Sequence, residues 1–219
     1  MKYLIFDTET TGLPRDRNGS VDDSSNWPYV VQVAWMTYDD ETNRHTKSSD
    51  IIRVSESVVI SKESIAVHGI DRARCVREGV PIETVIRKFQ RALRGADVVI
   101  AHNLDFDKPL IMAECGRHSI PHGFCNSKEY YCTMKNGIKL CKLESTNPRT
   151  GRTYYRYPKL DALHEKLFGS VPRGTHDALV DVLVCFRCYC KMVRGVDIAA
   201  KNRQIGGLIA GLCGVSWTE

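Results

Sequence analysis

Two short apolar runs, each followed by acidic side chains, constrain the fold of this chain most. Residues 3–6 form a β-prone run that ends at Asp7, and Val98–Ala101 is a continuous apolar run followed by Asp105 and Asp107. A continuous apolar run of this length indicates a strand that is buried on both faces of a sheet. Ligands of open α/β sheets bind beyond the carboxyl ends of such strands. We therefore expect a site where these acids follow their strands.

The remaining apolar pattern predicts the class of fold. Residues 29–38 and 51–54 indicate two further strands, the second starting nearer Thr46 if it is longer, and the absence of an intervening helical pattern predicts a meander. Apolar residues at helical spacing predict helices at about residues 81–95, 107–117, 159–168 and 175–193. Strands followed by alternating helices and strands predict an α/β fold with a central mixed sheet of about five strands, flanked by helices.

Composition narrows the class of protein. The chain has 219 residues, of which 42% are hydrophobic and 26% charged, which excludes a disordered chain, a collagen and a coiled coil. Charge interrupts the N-terminal apolar run too early for a signal peptide, and no apolar run approaches the ~20 residues of a membrane helix. The nine cysteines cannot all pair within the chain. We expect an intracellular protein with reduced thiols, cytoplasmic or nuclear rather than secreted or membrane-bound.

Asp7 and Glu9 form the first acidic pair. Residues two apart on a strand point to the same face, so both carboxylates project together at the end of the first strand. Neighbouring carboxylates repel unless a cation lies between them, and their hard oxygen atoms suit Mg²⁺ or Mn²⁺. An ordinary charged strand end is the alternative.

Two further segments hold acids and histidines. His102-Asn103-Leu104-Asp105-Phe106-Asp107 directly follows the buried strand, and we expect Asp105 to be the N-cap of the next helix. His176 precedes Asp181 by five residues near the start of the last predicted helix. A regular helix would not bring these two together, so we expect His176 in the loop entering the helix. A histidine there could take a proton from water near neutral pH, or could simply be a surface residue.

Together the three segments resemble one family of nucleases. The stretch from Phe6 to Leu13 resembles its first motif, His102 to Asp107 matches H-N-x-x-F-D, and His176 with Asp181 matches H-x₄-D. This is the DEDDh, or DnaQ-like, family of 3′–5′ exonucleases, which has a ribonuclease H-like fold and includes the proofreading subunit of bacterial DNA polymerase III. The resemblance implies an exonuclease domain over residues 1–194, followed by an apolar, glycine-rich tail of unknown role over residues 195–219.

The resemblance also implies a mechanism. Asp7, Glu9, Asp107 and Asp181 would hold two divalent metal ions, Mg²⁺ or Mn²⁺, that clamp the attacking and leaving oxygens of the last phosphodiester. Asp7 would bridge both ions, and Asp107 would act through water. His176 would be the general base, and the product would be a 5′-mononucleotide.

The same resemblance implies contacts with a nucleic-acid 3′ end. Thr10, Thr11, Gly12 and Leu13 would hold the terminal nucleotide, with Leu13 wedged against a base. His102 and Asn103 would brace the site. His68, in a loop over residues 67–70 that also resembles the family, would lie near the substrate or serve only the loop.

Positive charge concentrates in residues 135–159, with seven basic residues and one acid, a net charge of +6 in a chain of net charge +5. Interleaved basic and aromatic side chains can hold phosphates and stack on unpaired bases. We therefore expect a nucleic-acid-binding loop at the rim of the active site, although a solvated loop is the alternative. Its candidate contacts are Arg149, Arg152, Tyr154, Tyr155 and Arg156.

Other readings stay open at this level. Single-stranded DNA is the expected substrate, while an exoribonuclease with the same site or a nucleic-acid-binding polymerase-accessory module with weak nuclease activity are alternatives. Zinc-ligand residue types at Cys115, His118, His122 and Cys125 raise a zinc-stabilised interaction protein as a third reading, although their spacing fits a structural zinc site poorly. Apolar residues over 205–217 could pack on the domain, or contact a polymerase or a second copy of the chain.

Overall fold

A computed structural model describes residues 1–214 of the chain. The central sheet contains five strands: β1 Lys2–Thr10, β2 Val30–Asp39, β3 Arg44–Ile51, β4 Val98–Ala101 and β5 Glu129–Cys132. A separate hairpin is formed by β6 Glu144–Thr146 and β7 Thr153–Tyr155. The helices are α1 Lys62–His68, α2 Arg72–Glu78, α3 Ile82–Gly95, α4 Leu104–Arg117, α5 Thr133–Cys141, α6 Leu160–Phe168, α7 Ala178–Arg194, α8 Ile198–Lys201 and α9 Arg203–Cys213.

The sheet is mixed, as the sequence predicts. Its strand order is β3-β2-β1-β4-β5. The pairs β3–β2 and β2–β1 are antiparallel, and the pairs β1–β4 and β4–β5 are parallel. β1 therefore lies at the centre of the sheet, between β2 and β4.

Two apolar layers cover the two faces of the sheet. Leu4 and Phe6 of β1 pack with α3 and α4 on one face, while Tyr3 and Ile5 pack with α7, α8 and α9 on the other. Because side chains alternate along a strand, Asp7 and Glu9 continue the row of Tyr3 and Ile5 toward α7.

β1 is longer than its parallel neighbour β4. The last paired position is Ile5 with Ile100, so the end of β1 from Asp7 onward has a free edge on that side. On the other side the pairing of β1 with β2 shifts between Glu9 and Thr10. Such irregularities are frequent beside active sites, since they redirect the chain.

Some boundaries differ from those expected. The third strand is Arg44–Ile51, so its start lies near the earlier alternative of Thr46 and its end excludes residues 52–54. It pairs with β2 from Asp39 to Gln32. Its polar sequence obscures it because it is an edge strand that is mostly exposed. β5, with only four residues, and the short helices α1, α2 and α5 also lack the long periodic pattern that would have revealed them.

The helix starts correct two further expectations. Asp105 is not an N-cap: α4 begins at Leu104, Asn103 occupies the cap position in the left-handed region, and Asp105 lies exposed in the first turn as the partner of Lys135. α7 begins at Ala178 rather than near Thr175, because the Asp177 side chain accepts the N–H groups of residues 179 and 180 and caps the helix there.

The basic segment over residues 135–159 is not a loop. It contains most of α5 and then the hairpin of β6 and β7, which turns at Asn147 to Gly151. Gly137 hides the helix in the sequence. In the structure it allows close packing, because a Cβ there would lie 3.1 Å from the side chains of Leu163 and Pro158, which would have to shift.

Residues 198–213 of the tail form α8 and α9, which pack on α7. Ile198, Ile205, Ile209 and Cys213 are buried in the same apolar layer as α7. Trp217, the last residue of the predicted apolar stretch, lies outside the described residues. Within residues 1–214, none of the helices has the length and apolar character needed to cross a membrane.

Candidate active site

The four acids predicted from the motifs lie around one cavity of about 410 Å³. Asp7 and Glu9 come from the end of β1, Asp107 from the first turn of α4, and Asp181 from the first turn of α7. Helices on opposite faces of the sheet thus direct their first turns toward the carboxyl end of the central strand. His176 lines the same cavity.

Asp107 is held by the free edge of β1. Its Oδ1 accepts hydrogen bonds from the Thr8 backbone N–H at 3.1 Å and from the Thr8 hydroxyl at 2.7 Å. β4 stops short of this position, so the N–H of Thr8 is available to a side chain instead of a strand. The carboxylate of α4 therefore takes the place of a neighbouring strand.

His176 reaches the acids through an unusual backbone conformation. It lies just before α7 with φ of 75°, and its backbone N–H donates to Asp181 Oδ2 at 3.0 Å. A ring nitrogen of His176 and carboxylate oxygens of Glu9 and Asp181 all lie within 4.8 Å of one another. The loop position expected from the sequence is thus compatible with close approach.

Burial and mutual repulsion raise the pKa values of the four carboxylates when no cation is present. Burial, followed by the charge of Asp107, raises the pKa of Asp7 well above its usual range. Burial is also the main reason why the pKa of Glu9 rises to about 8 and those of Asp107 and Asp181 rise to about 7. Clustered carboxylates of this kind are typical of functional sites.

The residues present fit a divalent metal ion. Asp181 Oδ1 is buried and has no hydrogen-bond partner, although buried polar atoms are normally paired. Four carboxylates supply the hard oxygen ligands that Mg²⁺ and Mn²⁺ prefer. A cation between them would satisfy the orphaned oxygen and offset the repulsion that raises their pKa values.

His102 and Asn103 border the cavity. The His102 Nε2–H donates to the Pro158 carbonyl at 3.2 Å, and Nδ1 lies 2.9 Å from the Thr133 hydroxyl. Burial lowers the pKa of His102 to about 4, so the ring stays neutral. Both nitrogens are occupied within the protein, which agrees with a bracing role and keeps residues 157–159 against the cavity.

Two further cavities adjoin the first. One of about 290 Å³ is lined by Thr10, Gly12, Leu13 and His68, and one of about 510 Å³ also contains Leu13. Leu13 is 69% exposed, so its apolar side chain is free to meet a ligand.

Thr11 and His68 are held by the protein itself. The Thr11 hydroxyl accepts the N–H of Tyr29 at 3.0 Å. His68 Nδ1 accepts the N–H of Ile70 and its Nε2–H donates to the Thr10 carbonyl, both at 3.0 Å. His68 thus fixes the backbone that presents Gly12 and Leu13, and its contact with substrate remains a prediction.

A buried ion pair fixes the long segment between β1 and β2. Glu114 Oε1 accepts the Val30 N–H at 2.9 Å and pairs with Arg117 Nη1 at 2.8 Å. Arg117 also donates to the carbonyls of Ser24, Trp27 and Pro28, and its guanidinium lies 4.2 Å from the centre of the Tyr29 ring. The last turn of α4 thereby holds the segment that contains Leu13, while its first turn holds Asp107.

The basic segment meets the cavity only in part. Of the residues in this segment, Tyr157, Pro158 and Lys159 line the cavity of the acids. The predicted contacts Arg149, Arg152, Tyr154, Tyr155 and Arg156 are exposed on the hairpin instead. Their side chains are free for a strand that leaves the cavity, and that role remains a prediction.

The zinc-type residues do not form a cluster. Cys115 is buried, Cys125 is exposed, and His118 lies 3.0 Å from Glu83. Within residues 1–214 the only group of three or more potential metal ligands is Glu9, His176 and Asp181. The nine cysteines are free thiols in the structure.

Sequence reasoning missed several side chains of the site. Thr8 holds Asp107, and its hydroxyl between the two acids of the first motif was the available signal. Phe106 borders all three cavities, and Met134 borders two of them. No local pattern distinguishes Met134 from a core residue, since its position depends on where α5 packs.

Comparisons with known proteins bear on the family and the fold of the chain. The model of the RNase_T exonuclease family matches residues 4–189. Exonuclease I, in a structure that addresses how processivity is achieved, superposes over 95% of this chain with a TM-score of 0.65 and 16% identity. E. coli exonuclease I bound to a dA16 oligonucleotide superposes over 95% of this chain with a TM-score of 0.62 and 14% identity. Exonuclease I from Methylocaldum szegediense superposes over 94% of this chain with a TM-score of 0.60 and 16% identity.

The chain spans less than half the length of these structures, 43%, 43% and 44% respectively. At this identity the likeness establishes the ribonuclease H-like fold. No curated protein sequence gives a significant match. The family match covers most of the chain, including every acid of the cavity, and on this ground the chain belongs to the RNase_T exonucleases, a DnaQ-like nuclease family.

Proposed function

We propose that this chain is a metal-dependent 3′–5′ exonuclease that releases 5′-mononucleotides from DNA 3′ ends, using two divalent ions and a histidine general base. The observation that supports this most directly is the buried, unpartnered Oδ1 of Asp181 beside Glu9 and His176. This oxygen atom could bind a cation, and the neighbouring carboxylates would supply the other ligands of that cation.

Asp7, Glu9, Asp107 and Asp181 would hold the ions, which when bound stabilise the negative charge that develops on a phosphodiester during hydrolysis. Proton transfer and the orientation of the ligands would be carried out by side chains of the protein. His176 would accept the proton of the attacking water at a ring nitrogen, because it lies at the exposed side of the acids where water enters. Thr8 would keep Asp107 in one orientation.

The 3′ end of a nucleic acid fits the adjoining cavities. Leu13 and Phe106 offer apolar surface to unpaired bases, and the exposed tyrosines and arginines of the hairpin offer stacking surface and positive charge. Structural neighbours include E. coli exonuclease I in complexes with deoxyoligonucleotides. We therefore infer single-stranded DNA as the substrate, with RNA as the comparison in the test.

The test is digestion of single-stranded DNA, duplex DNA and RNA, each labelled at the 3′ or the 5′ end, with Mg²⁺ or Mn²⁺. We expect mononucleotides to be released from the 3′ end of single-stranded DNA, with loss of activity in a chelator. Asp7→Asn should abolish activity, because it removes a ligand charge from the centre of the site.

Glu165→Gln is the matched control, since it removes one carboxylate charge on the exposed surface of α6. Equal activity of Asp7→Asn and the wild-type chain would refute the mechanism. Preferential release from RNA would instead reassign the substrate, and release from the 5′ end would reverse the direction.

A further inference from the structure

The segment over residues 170–177 connects α6 to α7 and ends beside the acids. Thr175 and His176 line the catalytic cavity, and both Gly174 and His176 adopt the left-handed region. The segment has no helix or strand. Within it the Asp177 N–H donates to the Gly174 carbonyl at 3.3 Å, which closes a turn over His176, and the His176 N–H donates to Asp181. The position of this turn as a whole depends on where the preceding residues of the segment are held.

The first anchor is His164 of α6, a completely buried side chain. Its Nδ1 lies 2.7 Å from the Ser170 carbonyl, which can only accept, so the proton is on Nδ1. Its Nε2 then accepts from Arg187 Nη1 at 3.1 Å. The guanidinium thus selects the tautomer that holds Ser170 at the start of the segment.

Arg187 is in turn oriented by the tail. Its Nε and Nη2 donate to the two carboxylate oxygens of Asp197 at 2.9 and 2.6 Å, and it is 2% exposed. Asp197 is the N-cap of α8. A two-pronged pair of this kind fixes the plane of the guanidinium, and through it the direction of the bond to His164.

The second anchor comes from the end of α9. The backbone N–H of Arg173 donates to the Cys213 carbonyl at 2.7 Å. Carbonyls in the last turn of a helix lack a partner within the helix, and this one finds its partner in the segment. A Cβ on Gly174 would lie 3.4 Å from the Leu212 carbonyl, which shows how closely α9 approaches.

We propose that the C-terminal helices α8 and α9 position His176 for catalysis, by fixing the segment over residues 170–177 at Ser170 and at Arg173. The inference rests on the proposed role of His176 as the general base. Asp197, Arg187 and His164 are then positioning residues that act through the segment. Loosening either anchor should slow turnover while leaving the affinity for the DNA strand unchanged, because the strand is held on other walls.

Variants at the two anchors test this in the full chain. His164→Leu removes the donor to Ser170, whereas His164→Asn places an amide N–H near the position of Nδ1 and should restore the contact. Ile209→Ala weakens the packing of α9 on α7. Ile86→Ala is the matched control, because it removes the same side chain from the other apolar layer.

The measurements are kcat and KM on an oligodeoxythymidylate, the midpoint of thermal unfolding, and hydrogen exchange of the backbone amides over residues 170–177. His164→Leu and Ile209→Ala should lower kcat about tenfold, with little change in KM and faster exchange in the segment. His164→Asn should recover most of the loss. Ile86→Ala should lower the unfolding midpoint and leave kcat and the exchange of the segment unchanged.

Unchanged kcat in both anchor variants, or an equal fall in Ile86→Ala, would overturn the inference. If the wild-type chain hydrolyses neither DNA nor RNA, it is the proposed function that fails. The anchoring is then tested by hydrogen exchange alone. Exchange over residues 170–177 that is no faster in His164→Leu and Ile209→Ala than in the wild-type chain would refute it.

Discussion

Thr8 and Asp107 are joined by two hydrogen bonds to a single carboxylate oxygen, one from the backbone N–H and one from the hydroxyl. The contact connects the central strand to the helix on one face of the sheet. The carboxylate held in this way lines the cavity of the acids. The geometry of the site thus depends on a residue whose side chain faces the opposite layer from Asp7 and Glu9.

The first prediction concerns Thr8. Thr8→Val keeps the branched shape and the backbone N–H but removes the hydroxyl, which should cost about 1 kcal/mol of unfolding free energy. We expect a fall in kcat and weaker metal affinity, because Asp107 gains freedom to rotate. Turnover at varied Mg²⁺ concentration measures both.

Thr8→Ser retains the hydroxyl and serves as the control for Thr8→Val. If both variants lose the same activity, the hydroxyl is not what orients Asp107.

The second prediction concerns pH in the chelated protein. The native state keeps protons on Glu9, with a pKa of about 8, and on Asp107 and Asp181, with pKa values of about 7. The unfolded chain has already released these protons, so the native state binds more of them and the free energy of unfolding should fall as the pH rises from about 6.5 to about 8.

Buried histidines make the free energy of unfolding rise with pH instead, but they do so at lower pH than the carboxylates. Burial lowers the pKa values of His68, His102 and His164 from 6.5. These histidines are therefore neutral in both the native and the unfolded state above that pH, and they add little to the slope there. Urea unfolding at several pH values, with and without Mg²⁺ or Mn²⁺, measures the effect. The slope should flatten with metal and in Asp7→Asn, and a chelated protein that gains stability over this range would contradict the prediction.

The third prediction concerns the ion pair of Glu114 and Arg117. Arg117→Met alone should destabilise the fold by about 3–5 kcal/mol, because it leaves the buried Glu114 charge without a partner. The double variant Glu114→Gln with Arg117→Met keeps an acceptor for Val30 and removes both charges. It should fold but raise KM for an oligonucleotide about tenfold, since the segment that presents Leu13 loses its carbonyl anchors.

The control for this ion pair is Arg87→Met, an exposed arginine on α3. Steady-state kinetics with a fluorescent oligonucleotide separates KM from kcat. A loss confined to kcat would show that the segment between β1 and β2 does not contribute to binding.

The fourth prediction concerns the hairpin of β6 and β7. Replacing Arg149, Arg152 and Arg156 with Gln should weaken binding of single-stranded DNA and reduce its salt dependence by about 0.7 per lost phosphate contact. Fluorescence anisotropy at several salt concentrations measures the slope.

The same change in net charge on α3, through Gln at Arg87, Arg91 and Arg94, is the control for the hairpin. Equal effects of the two triple variants would mean that the charge of the whole chain, and not the hairpin, attracts DNA.

The acids illustrate what sequence can predict. Asp7 and Glu9 share a face because strand periodicity is fixed, and both follow an apolar run that only a central strand explains. The mixed sheet is predictable from such patterns, and the ribonuclease H-like fold from the resemblance of the three motifs to the DnaQ-like family. Asp105 was assigned to the wrong role, because local preference favours Asp at an N-cap and cannot show that Asn103 takes the left-handed region.

Residues whose roles depend on distant packing could not be predicted. Arg117 contacts carbonyls some 90 positions earlier, and Arg187 selects the tautomer of His164 from another helix. Neither contact has a local pattern in the chain. Gly137 conceals α5 because a glycine within a helix is locally unfavourable, while the reason for it lies in α6.

The alternation of β1 also protects the folding of the sheet. A slip of one residue would turn Asp7 and Glu9 toward the layer of Phe89 and Leu110 and would bring Leu4 and Phe6 out of it. Two carboxylates cannot enter an apolar layer without a large desolvation cost. Asp7 and Glu9, which would bind metal in the folded chain, therefore also destabilise a sheet in which β1 is shifted by one residue, and they do so before any substrate is present.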